Sequence, residues 1–429
     1  MKRLLVAAAA TLFAAPLSAE TIAFTGGTVA IGDGSQPIKG GTVVIANGRI
    51  VAAGLNVAVP AGASIVDATG KWVSPGIVAG FSTLGVMEGY GMSEVNDSDA
   101  DKSPFSAAID LAPAISGSSQ RIAIERLSGT TRAFVMPEAG NTMFAGQGAV
   151  IDLGADVEAV TRPRAFQFVE LGENGAVRAG GSRAAAHVLL RAALQAAANP
   201  AAIDVVSKDS LITRQDAEAL VPVVRGVMPL LVKVDRVADI RSALALKTQF
   251  PALKLVLVGA AEGWMIADQI AAAHVPVLAG GLLDIPEKFE RIAATQSNVG
   301  RLTRAGVTVA VTNVDISEGP IESYLTQYAG NLVALTRMPG AQGLDWGQAL
   351  ASITSKPAAA IGMDSEIGSL RPGRRADVVI WDGDPLELAS APVSVFIDGV
   401  SQPMTSRQTR LRDRYLCPVE KALPKAYER

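Results

Sequence analysis

Short apolar runs alternate with glycine-containing turns from Thr21 to Ser74. The runs include Ile22-Ala23-Phe24, Thr28-Val29-Ala30-Ile31, Thr42-Val43-Val44-Ile45 and Arg49-Ile50-Val51-Ala52, divided by Gly26-Gly27, Gly32-Asp33-Gly34 and Asn47-Gly48. Runs of this length with this punctuation predict strands. Asn47-Gly48 predicts a two-residue hairpin turn, because both central positions of that turn take positive φ. The texture returns near the other end in Asp377-Val378-Val379-Ile380-Trp381 and Val393-Ser394-Val395-Phe396-Ile397. Neither piece can bury a core alone, so both ends of the chain are expected to meet in a small composite β-sandwich. Between them the pattern changes. Apolar runs such as Ala133-Phe134-Val135, Val232-Lys233-Val234, Leu255-Val256-Leu257-Val258 and Val307-Thr308-Val309-Ala310-Val311 alternate with alanine-rich helical stretches such as 182–198 and 237–249. That alternation predicts an α/β fold whose parallel sheet closes as a (β/α)8 TIM barrel. The expected division is sandwich over 20–75, barrel over 76–362, and the second part of the sandwich with a tail over 363–429.

Residues 1–19 read as a secretory signal peptide, with Lys2-Arg3, an apolar run from Leu4 to Ala15, and Pro16-Leu17-Ser18-Ala19 before the expected cut. The expected location is therefore the periplasm or beyond. No later segment is both long and charge-free enough to span a membrane. The 429 residues are 49% apolar and 18% charged, with 38 basic against 41 acidic side chains, which supplies core material and leaves no electrostatic footprint for nucleic acid. A single cysteine, Cys417, excludes an intrachain disulfide. There are only two histidines, His187 in an alanine-rich helix and His274 at a helix-to-strand turn. Both read as structural or surface residues.

Several stretches resemble the amidohydrolase superfamily, in particular exported members close to imidazolonepropionase-like enzymes. They are Gly40 to Gly54, then Ile65-Val66-Asp67-Ala68-Thr69-Gly70-Lys71-Trp72-Val73-Ser74-Pro75-Gly76-Ile77, and Ile367-Gly368-Ser369-Leu370-Arg371-Pro372-Gly373-Arg374-Arg375-Ala376-Asp377-Val378-Val379. Gly129-Thr130-Thr131 and Gly146-Gln147-Gly148-Ala149-Val150 add to the likeness. The resemblance implies the barrel and the composite β unit. It also implies hydrolysis of C–N bonds in cyclic amides, amidines or dipeptide-like substrates, with one or two divalent metals such as zinc at the strand ends activating water.

Carried over residue by residue, the family's metal ligands fall on other side chains. Its Asp and His-x-His of the first strand fall on Ala79, Phe81 and Thr83, a later histidine on Gly259, and the aspartate of the last strand on Asn313. None of these offers an imidazole or a carboxylate. The expectation is a chain with no metal or other cofactor, a pseudoenzyme. It would assemble as a homo-oligomer, or as a hetero-oligomer with a metal-bearing homologue, or hold a small ligand in the old cleft. The competing expectation is a C–N hydrolase with an unconventional site drawn from Lys233, Asp235, Asn313 and Asp315; the simpler account of Lys233 and Asp235 is an internal ion pair. Other candidates are weaker. Gly80-Phe81-Ser82-Thr83-Leu84 stops one glycine short of a nucleophile elbow around Ser82. Glu94, Asp97, Asp99 and Asp101 read as a solvated loop, since an EF-hand needs glycine where Lys102 stands and glutamate where Ala108 stands.

Overall fold

The computed structural model describes residues 21–89, 93–203, 212–282, 285–314 and 322–416. The signal peptide, Asp315 and Cys417 lie outside the described residues. The chain opens with β1 (Ile22–Val29), β2 (Ile38–Ala46), β3 (Arg49–Gly54), β4 (Ser64–Asp67) and β5 (Trp72–Pro75). Its central part supplies β6 (Ile77–Ser82), β7 (Thr130–Val135), β8 (Phe144–Asp152), β9 (Val160–Glu170), β10 (Leu230–Val234), β11 (Leu255–Gly259), β12 (Val277–Gly280) and β13 (Val309–Thr312). It closes with β14 (Val378–Trp381), β15 (Pro392–Ile397) and β16 (Val400–Ser401).

The two ends of the chain meet as the repeated texture predicts. Their strands run β16-β15-β14-β5-β1-β2-β3 in one hydrogen-bonded path, with β4 beside β1. The seam is the antiparallel pair β5 and β14, where Val73 faces Ile380 and Pro75 faces Val378. Phe24 of β1 packs edge-to-face on Phe396 of β15 at 5.0 Å, so the core of this unit draws on both termini. Asn47 and Gly48 take φ of 54° and 69°, the left-handed pair that the β2–β3 turn demands.

Strands β6 to β13 form the second sheet in sequence order, curled into a nearly closed barrel. One strand departs from the parallel pattern: β8 runs antiparallel to both β7 and β9. The connection from β7 to β8 covers only residues 136–143, too short for the crossover that returns a chain to a parallel strand. Helices cover the outside: α1 (Gln120–Leu127), α2 (Glu173–Arg178), α3 (Arg183–Ala196), α4 (Arg214–Val224), α5 (Val237–Leu244), α6 (Leu246–Gln249), α7 (Ala267–Ala272), α8 (Asn298–Arg304), α9 (Leu325–Leu335), α10 (Trp346–Ser352) and α11 (Ser355–Ala360). After β16 comes α12 (Arg407–Leu416), none of whose residues is buried.

Local chemistry starts several of these helices. Thr213 and Asp216 form a capping box at α4, and Asp345 and Gln348 form one at α10, each supplying partners to first-turn N–H groups that the helix cannot satisfy itself. Asp216 also accepts the N–H groups of Ser106 and Ala108 at 2.9 Å, pinning the long loop after β6 to α4. Barrel and sheet are tied at Arg132 of β7, which is fully buried. Its guanidinium reaches Asp377 at 2.7 Å, Asp398 at 2.9 Å and Asp152 at 3.6 Å. Burial alone pulls its pKa down, but the three carboxylates more than reverse this and raise it.

Candidate functional site

The C-terminal ends of barrel strands are where such folds place chemistry, so the site begins there. Strand β6 carries a bulge: Ala79 faces Ala133 and Ser82 faces Val135, three steps against two. An extra residue reverses the in–out alternation beyond it. Phe81 therefore joins Val78 in the inner cluster although the two are an odd number of residues apart. There Phe81 meets Phe168 of β9 edge-to-face, at 5.7 Å between ring centroids. The Lys233 ammonium lies 6.0 Å from the Phe81 ring centroid. Two buried rings and a cation thus fill the mouth where β6, β9 and β10 end.

Asp235 turns away from Lys233. The chain leaves β10 at Val234, and the Asp235 carboxylate accepts the Ala261 N–H at 3.1 Å and pairs with buried Arg291 at 2.8 Å. The expected Lys233–Asp235 ion pair is corrected by this geometry: the arginine from the segment after β12 takes the carboxylate. Gly259 ends β11 with φ of 89°, and a Cβ there would stand 2.5 Å from Asp235 Oδ1. Histidine at 259 would need both a strained backbone and a displaced Asp235. Ala79 is buried in the core between barrel and helices, and Asn313 is half-buried just past β13.

Thr83 is buried and lies 3.4 Å from both terminal nitrogens of Arg121 on α1, which also donates to the Met87 carbonyl. Beside it is a cluster that sequence reading missed. Glu322 is buried after the last barrel strand and hydrogen-bonds Ser82; Glu125 of α1 is buried against Glu322 and accepts the Ser323 N–H. Burial, and then the charge of Glu322, push the Glu125 carboxyl up to about 8, with Arg121 only partly opposing. Burial also raises Glu322. The pair therefore retains a proton near neutral pH, as two carboxyls sharing a dry site must. No motif could have revealed it, since its members come from opposite ends of the barrel sequence and have no family spacing.

A second acid, Glu138 beyond β7, accepts Ser98 Oγ at 2.9 Å. Burial pushes its pKa up, and Lys233 works against that. The loop carboxylates Glu94, Asp97, Asp99 and Asp101 are all exposed. His187 on α3 sits 3.8 Å from Asp239, and His274 turns the chain after α7 with φ of 51°.

The model of the amidohydrolase family matches residues 231–401. Among curated relatives, an amidohydrolase tasK from Hapsidospora irregularis is 48% identical over 60 residues, 14% of this chain and 6% of that protein. A 5-methylthioadenosine/S-adenosylhomocysteine deaminase from Teredinibacter turnerae is 29% identical over 135 residues, 30% of each chain. The chain thus spans under a third of the length of these relatives. Among solved structures, an amidohydrolase from Thermotoga maritima superposes with a TM-score of 0.75 at 25% identity, covering 89% of this chain and 99% of that one. A more remote structure, an adenosine deaminase from Xanthomonas campestris (TM-score 0.48, 17% identity, covering 89% of this chain and 92% of that one), has bound zinc.

The expectation of no cofactor is corrected on the strength of the family match and the deaminase likeness, since these point to a family that works with a divalent metal. The residues now in place do not fit a histidine-held ion, however. Among the described residues no three of His, Cys, Asp and Glu come together as a ligand group. Thr83 faces a guanidinium, Phe81 lies under an ammonium, and position 259 has no room for a side chain. The amidohydrolase family model matches across the second half of the barrel and into the closing sheet, and an amidohydrolase shares the fold over 89% of this chain, so the protein is similar to the amidohydrolase superfamily in both sequence and fold.

Proposed function

We propose that the chain is an exported, non-hydrolytic member of its family that serves as a structural or partner subunit, joined to a second copy or to a metal-bearing homologue. One observation carries this reading: Phe81 and Phe168 close against each other at 5.7 Å beneath the Lys233 ammonium, where the family resemblance puts metal ligands. The Phe81 ring offers no lone pair to a cation added there, and the Lys233 ammonium would repel it. The family's metal enters this reading through the partner. Among the described residues no helix is long and apolar enough to cross a membrane. The reading takes residues 1–19 as removed on export, which N-terminal sequencing of protein recovered from the periplasm would check.

The test is turnover. The isolated mature chain supplied with zinc is expected to leave N-acyl amino acids, dipeptides and cyclic imides intact, with activity appearing only when a metal-bearing homologue is present. Steady turnover by the isolated chain, abolished by Asp315→Ala, would overturn the proposal.

The buried acid pair supports a second reading, a C–N hydrolase or deaminase with an unconventional site. Glu125 and Glu322 retain a proton beside Ser82 at the end of the first barrel strand, as a general acid needs. Under that reading Glu322→Gln abolishes turnover, while Arg412→Ala on the outer helix, where the side chain pairs with its neighbour Asp413, leaves it unchanged.

A further inference from the structure

A cavity of about 410 Å³ lies between the flank of α1 and the start of α12. Arg126, Arg407 and Arg410 all line it, with Ser118, Gln120 and Thr405, and no aspartate or glutamate is among the residues lining it. Two helices begin at its wall. Ser119 caps α1, and Ser406 caps α12 by accepting the Thr409 N–H at 3.2 Å, so both positive dipole ends face this space. Those features alone describe a basic surface. The decisive one is Arg126, which is only 4% exposed. Its Nη1 donates to the Leu153 carbonyl at 2.8 Å, its Nε has no hydrogen-bond partner, and among the described residues no carboxylate pairs with it. Burial without a carboxylate beside it lowers its pKa. A buried cation is ordinarily paired, as Arg132 is on the neighbouring strand.

We propose that this cavity is a binding site for a phosphate group, with Arg126 as the buried anchor and Arg407 and Arg410 as the outer clamp. Three guanidiniums and two helix starts match a dianion with several acceptor oxygens, and a planar fork suits phosphate better than a point charge does. A monoanion would leave most of that positive charge uncompensated. The phosphate is either inorganic or the terminal group of a small phosphomonoester. The exposed α12 then has a reason to be ordered: its first turn closes on the ligand.

The full mature chain, unfolded thermally in sodium phosphate and in sodium chloride at matched ionic strength, gives the test. Phosphate is expected to raise Tm saturably by several degrees, as binding to the folded state alone requires, and chloride is not. The double variant Arg407→Ala/Arg410→Ala, whose changes lie on exposed positions, keeps the ligand-free Tm and loses affinity at least about tenfold by calorimetry, as removal of charge-assisted bonds demands. Arg126→Lys, which retains the charge but not the fork, also weakens binding. Glycerol phosphate as a second probe separates the sources: tighter binding than inorganic phosphate identifies a phosphomonoester, and equal or weaker binding identifies the free ion. Equal stabilisation by phosphate and chloride, or unaltered affinity in the double variant, would overturn the proposal.

Discussion

Arg132 and Arg126 stand on adjacent elements, are both buried, and live in opposite surroundings. Arg132 holds carboxylates from β8, from the edge of β14 and from the β15–β16 turn, while Arg126 holds one backbone carbonyl and faces a cavity. A buried ion that is fully answered within the chain is a structural tie. One left unanswered marks a place that an external anion can complete. The contrast also sets the buried acids apart, because Glu125 and Glu322 solve the same dielectric problem by keeping a proton rather than by finding a counter-ion.

The largest expected effect comes from breaking the answered side. Arg132→Met leaves Asp377 and Asp152 buried with no cation, and should cost about 3–5 kcal/mol in denaturant unfolding; a loss below about 1 kcal/mol would dissolve the distinction drawn here. The acid pair gives the next effect. Glu125 rises from an ordinary 4.5 to about 8 in the folded state. Between those values the folded protein keeps a proton that the unfolded chain has released. Stability therefore falls as pH rises through that window, by up to about 1.4 kcal/mol per pH unit for one proton. Glu125→Gln should flatten that decline, matching the parent near pH 4.5 and exceeding it at pH 8; parallel Tm profiles would refute the shared-proton account. The smallest effect sharpens the unanswered side. Arg126→Met removes an uncompensated buried charge along with one hydrogen bond, so without phosphate its stability should stay within about 1 kcal/mol of the parent.

Most of the fold could be read from local pattern. The Asn47-Gly48 hairpin, the recurring strand texture at both ends and the strand–helix alternation each express a short-range rule, and each is present in the structure. The helix expected over 237–249 is split at Ala245 into α5 and α6. What escaped depends on pairing. The direction of β8 follows from the length of its connection, and the inward turn of Phe81 follows from a bulge that only the register against β7 exposes. Of the candidate site residues, the sequence placed Lys233 and Asp235 correctly at a strand end but could not see that Arg291 claims the aspartate. Arg132, Arg126 and the two glutamates carried no motif, because their meaning lies wholly in what is, or is not, across from them.

The seam between β5 and β14 has a consequence for synthesis. The first strands leave the ribosome with one sheet edge open, and the guanidinium of Arg132 waits for Asp377 until nearly the whole polypeptide has emerged. A chain that lacks its closing strands therefore leaves the β5 edge of this sheet unpaired. Shortening the chain to end before residue 378 would remove the closing strands and unsettle the opening ones with them.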